Sequence, residues 1–75
     1  MSRKLPAVKP EDAIRALEKV GWRVHRQKGS HVSMHKEDTP NLVTIPMHTK
    51  DLPKGTLNGI IEDAGLTIEE FLKLL

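Results

Sequence analysis

The feature that most constrains this chain is the tetrapeptide Lys28-Gly29-Ser30-His31, which joins two runs of alternating polarity. Upstream, Trp22 and Val24 alternate with Arg23 and His25; downstream, Val32 and Met34 alternate with Ser33 and His35. A period of two marks half-buried strands. Gly29 and Ser30 are turn formers, and glycine takes a positive φ at no steric cost. The stretch therefore predicts a β-hairpin whose second strand opens at His31. Alternation assigns Trp22, Val24, Val32 and Met34 to a buried face, and Arg23, His25, His31, Ser33 and His35 to an open one.

The flanking sequence supplies what such a hairpin needs for a core. Met1–Lys9 reads as a flexible arm. Pro10 suits the first helical position, with Glu11 and Asp12 favouring a helix N-terminus. Ala13, Ile14, Leu17 and Val20 then recur at helical spacing, and Gly21 is a natural C-terminal cap. After the hairpin, residues 37–41 are dense in turn formers, Leu42–Ile45 is β-prone, and Pro46 ends that strand or lies at a sheet edge. A polar loop from His48 to Lys54 follows. Gly55-Thr56 opens a second helix, with Thr56 expected as its cap and Leu57, Ile60, Ile61 and Ala64 as its apolar stripe. Thr67 and Glu70 form a capping box for a short last helix carrying Phe71, Leu72, Leu74 and Leu75. These last side chains exceed what one face can hide; they extend the core or contact a partner. The predicted fold is α+β: a helix, a three-stranded antiparallel sheet and a helix, with the helices on one face, plus a short C-terminal helix.

At 75 residues, the chain is expected to be one domain over 1–75. A chain of this length buries only about 60% of its unfolded surface, so its stability margin is thin. It has no cysteine, which excludes disulfides and thiolate metal sites. No apolar run has the length of a signal peptide, and none approaches the roughly 20 residues that span a bilayer. The expectation is a cytoplasmic protein without a membrane partner. Twelve Lys and Arg against ten Asp and Glu give a net charge of only +2. The basic excess lies between Arg3 and Lys36, whereas Glu62, Asp63, Glu69 and Glu70 make the tail acidic. That asymmetry suits one side facing a polyanion and another facing something else.

A histidine beside a glycine turn, with Arg26 and Lys28 just upstream, makes a plausible phosphate site. Imidazole exchanges protons near neutrality, so His31 is a candidate general acid or base. One histidine rarely serves as both. His48 is the candidate second group and His35 the next, although a solvated loop histidine is the plainer reading of His48. A metal site is disfavoured, since His31 and His35 on one strand would stand roughly 13 Å apart. Ser30 lacks a carboxylate placed to activate it and reads as turn chemistry. Trp22 could stack on a base, but its alternation with Val24 favours the core.

Arg26-Gln27-Lys28-Gly29-Ser30-His31, Val43-Thr44-Ile45-Pro46 with His48, and Lys54-Gly55-Thr56-Leu57 with Ile60 and Ile61 occur here in order. In that combination the chain resembles the HicA (YcfA-like) toxin family, from about Leu5 to the C-terminus. The resemblance implies a double-stranded-RNA-binding-domain-like fold and a ribosome-independent messenger-RNA interferase, neutralised by a HicB-type antitoxin encoded beside it. It implies that His31 is catalytic, with Gly29 and Ser30 shaping its turn. Two positions depart from the family pattern: Asn58 stands where a basic residue is usual, and Met34 where an aromatic is common.

The leading expectation is thus a metal-independent endoribonuclease toxin, without cofactor, that uses His31 on mRNA. Arg23, Arg26, Lys28, Gly29, Ser30, Lys50 and Lys54 are the candidate RNA-binding residues, and His48 the possible second acid or base. The alternative is a non-catalytic module of the same fold that reads A-form RNA through phosphates and 2′-hydroxyls.

Overall fold

The structure is a computed structural model that describes residues 5–75. The elements follow the order α1 (Pro10–Glu18), β1 (Arg23–Lys28), β2 (His31–His35), β3 (Leu42–Pro46), α2 (Lys54–Asp63) and α3 (Ile68–Leu74). The three strands form one antiparallel sheet in the order β1-β2-β3.

Helix α1 begins with Pro10 at its first position and carries Glu11 and Asp12 in its first turn. Its end is set by Gly21, at φ +100°. There the Gly21 N–H donates to the Glu18 carbonyl (3.2 Å) and the Trp22 N–H to the Leu17 carbonyl (3.1 Å). This pair of bonds is the Schellman ending that a left-handed residue permits. It satisfies two terminal carbonyls and turns the chain into β1 with Trp22 buried. Helix α3 starts on the expected capping box: Thr67 Oγ1 accepts from the Glu70 N–H, and Glu70 Oε1 accepts from the Thr67 N–H.

The core lies between the helices and one face of the sheet. From β2 and β3 it takes Val32, Met34, Val43 and Ile45; from α1, Ala13, Ala16 and Leu17; from α2, Leu57, Ile60 and Ile61. Phe71 of α3 is fully buried among them, whereas Leu72 and Leu74 are half-buried and Leu75 is half exposed. Met34 fills its place completely, so the core accepts methionine at that position.

Three expectations are corrected. Val24 is 49% exposed rather than buried, as is the whole of β1. It pairs with Met34 on the helix side of the sheet, but of the helices β1 packs only against α1, whereas β3, at the opposite edge, lies under both α1 and α2 and buries Val43 and Ile45. Thr56 does not cap α2: the helix begins two residues earlier at Lys54, with Pro53 at the cap position and no side-chain cap bond. The expected arm, Met1–Lys9, falls partly outside the described residues. Within them Val8 is buried, and its carbonyl accepts from the Leu52 N–H at 2.8 Å.

Candidate active site on the open sheet face

The hairpin turn comprises only Gly29 and Ser30, because Lys28 pairs directly with His31. Gly29 sits at φ +58°, while Ser30 is not among the positive-φ residues. That combination belongs to a type II′ turn, whose first central position calls for glycine. Among the described residues, its two chain neighbours aside, no atom lies within 4 Å of where a Cβ on Gly29 would stand, so its requirement is conformational rather than steric. Since Val32 and Met34 point into the core, His31, Ser33 and His35 necessarily point away from it. His31 is exposed at the lip of the turn.

The histidine also gains a neighbour that alternation cannot reveal. In the β2–β3 ladder His31 stands opposite Pro46, which has no N–H to donate. The next donor, Met47 N–H, reaches the Ser30 carbonyl at 2.5 Å. This bond draws the chain after β3 back to the turn. It leaves the rings of His31 and His48 with centroids 6.0 Å apart and planes inclined by 57°.

Strand β1 contributes the positive charge through a β-bulge. The register runs Arg23 opposite His35 and Val24 opposite Met34, then shifts by one residue so that Arg26 faces Ser33 and Lys28 faces His31. Without the extra residue at His25, simple alternation would carry Arg26 and Lys28 to the helix side. The bulge instead puts Arg23, Arg26 and Lys28 all opposite the outward residues of β2. All three are exposed, and none forms an ion pair with a carboxylate among the described residues. The His25 ring lies beside that of His35, with centroids 6.1 Å apart.

The open face thus gathers His31, Lys28, Gly29, Ser30, Arg26 and Arg23, with His48 joining from beyond β3. Lys50 and Lys54 are exposed in the following loop and at the start of α2. No hydrogen bond or ion pair joins either to this group among the described residues. The shared placement of Arg26 and Lys28 with His31 was missed by alternation. Its one signal was the break of pattern after Val24, where four polar residues follow in succession.

A basic, histidine-bearing sheet face with all helices behind it defines a small α+β domain of the double-stranded-RNA-binding-domain-like kind. Residues 10–66 match the family described as the HicA toxin of bacterial toxin–antitoxin systems, and the chain belongs to that family. No curated protein shows significant similarity to it. The matched segment runs from the start of α1 to just past α2 and includes both histidines of the turn-side pair.

Proposed function

We propose that this protein is an endoribonuclease toxin that cleaves mRNA without a metal ion or cofactor, with His31 as general acid or base. The observation that carries the reading is the His31–His48 pair, 6.0 Å between ring centroids, on an exposed edge beside Lys28. RNA brings its own nucleophile in the 2′-hydroxyl, so the protein need supply only proton transfer and charge stabilisation.

In the proposed step one imidazole, neutral, accepts the proton of the 2′-hydroxyl as the 2′-oxygen bonds to phosphorus. The other, protonated, gives its proton to the 5′-oxygen as the P–O5′ bond breaks. The products are a 2′,3′-cyclic phosphate and a 5′-hydroxyl. Attacking and leaving oxygens lie on opposite sides of phosphorus, which suits two rings flanking a gap rather than one ring acting twice. Lys28, directly opposite His31, and Arg26 one row further along would stabilise the added negative charge on the phosphorane.

Membership of the toxin family implies an antitoxin partner, and we assign that role to a HicB-type protein. A partner with an acidic surface laid over Arg23, Lys28 and His31 would block binding and chemistry together. The setting proposed is the cytoplasm, where mRNA is met; no described helix is long and apolar enough to cross a membrane.

The test is end-group analysis of RNA cleaved by the purified protein. Cyclic phosphate ends are expected. A 3′-hydroxyl with a 5′-phosphate would refute the 2′-hydroxyl mechanism. Binding without cleavage would leave the non-catalytic RNA-binding module as the better account.

A further inference from the structure

The mechanism uses one end of the open face and leaves the other unexplained. At that far end, four residues along β2 from His31, the rings of His35 and His25 stand 6.1 Å apart, and Arg23 lies directly opposite His35. Beside them is a surface hollow of about 430 Å³, lined by Gly21, Arg23, His35, Lys36, Glu37 and Asp38. A bulge usually interrupts a sheet edge; here it also aligns a series of donors. Lys28 pairs with His31, Arg26 with Ser33, and Arg23 with His35. Each row offers one β1 cation and one β2 side chain able to donate a hydrogen bond. Successive rows lie two residues apart, roughly 6.7 Å at the strand rise. That stride matches successive phosphates of an extended polynucleotide better than the compact spacing of a helical strand.

We infer that the His25–His35–Arg23 cluster is a second phosphate subsite, holding the backbone of single-stranded RNA two phosphates away from the one at His31. The inference rests on the RNA-cleaving reading above and adds to it the form of the substrate and its path, along β2 from the turn towards the β2–β3 loop. Either imidazole can donate an N–H to a phosphate oxygen whichever protonation state it holds. The carboxylates of Glu37 and Asp38 line the hollow past Lys36 and repel a further phosphate. They set the end of the track at three rows.

The experiment uses single-stranded 2′-O-methyl RNA oligomers, which lack the nucleophile and cannot be cleaved by this mechanism. Affinities are measured for two, three, four and six nucleotides, which carry one, two, three and five phosphates. Binding should tighten at each step up to the tetramer and gain little beyond it. The double variant His25→Asn/His35→Asn should bind the tetramer about three- to tenfold more weakly, close to its own affinity for the trimer. Both rings are exposed, and an unchanged circular dichroism spectrum and melting temperature establish that the variant is folded. An unaltered tetramer affinity in the folded variant overturns the subsite. So does tighter binding of an equally long 2′-O-methyl duplex than of the single strand. If unmodified RNA is bound with the same length steps but not cut, the nuclease reading fails while the subsite stands.

Discussion

Replacing Gly29 by alanine isolates the backbone requirement that places His31. The residue sits at φ +58°, and no described residue beyond its chain neighbours has an atom within 4 Å of the added Cβ. The substitution therefore meets no collision, and its cost is that of holding an L-residue in the left-handed region, about 1–2 kcal/mol. A 75-residue chain has a total stability of roughly 4–11 kcal/mol, so the loss is a sizeable share. In a domain of this size, each kcal/mol lowers the melting temperature by about 4–8 °C. Thermal unfolding followed by circular dichroism reads the change, with Gly59→Ala as an internal control of sign. Gly59 lies within α2, also with no atom within 4 Å of its added Cβ and with no positive φ. Alanine there should stabilise by about 0.5–1 kcal/mol, because it removes a helix-weakening residue. If Gly29→Ala melts with the wild type, or if both variants shift the same way, the turn does not depend on a left-handed glycine.

Two further substitutions probe separate parts of the account. Thr67→Ala removes the reciprocal capping bonds of α3 and should lower stability by about 1 kcal/mol, read from chemical denaturation. His48→Ala should reduce RNA cleavage by about 10²-fold or more, the range of a lost general acid or base, while leaving the melting temperature unchanged because the ring is exposed.

Most of the fold is legible from local chemistry. Gly21 ends one helix, Gly29 and Ser30 make the hairpin, and Thr67 with Glu70 starts the last helix. Each is a contact between neighbours in sequence, so its signal is contiguous. What escaped depends on position in the assembled sheet. Val24 alternates correctly and pairs with Met34, yet it stays half exposed, because burial requires helix cover and α2 packs over β3 rather than over β1. Thr56 has the chemistry of a cap but lies inside α2, since Pro53 already supplies the extended conformation that precedes a helix.

The candidate site divides in the same way. His31 could be found from the turn, and its exposure follows from the burial of Val32 and Met34. The cations could be found by composition but not by face: alternation alone would have sent Arg26 and Lys28 to the helix side, and one extra residue at His25 reverses that. The approach of His48 to His31 depends on the Met47–Ser30 bond, made across the sheet between residues distant in the chain. No local pattern encodes it.

The most direct measurement compares RNA cleavage by purified wild-type protein and His31→Ala, with both shown to fold and to bind an uncleavable oligomer. The proposed mechanism predicts that the variant keeps its fold and binds the oligomer no more than about tenfold more weakly, while cleavage falls to background even at saturating RNA. Cleavage continuing undiminished in the variant would contradict it.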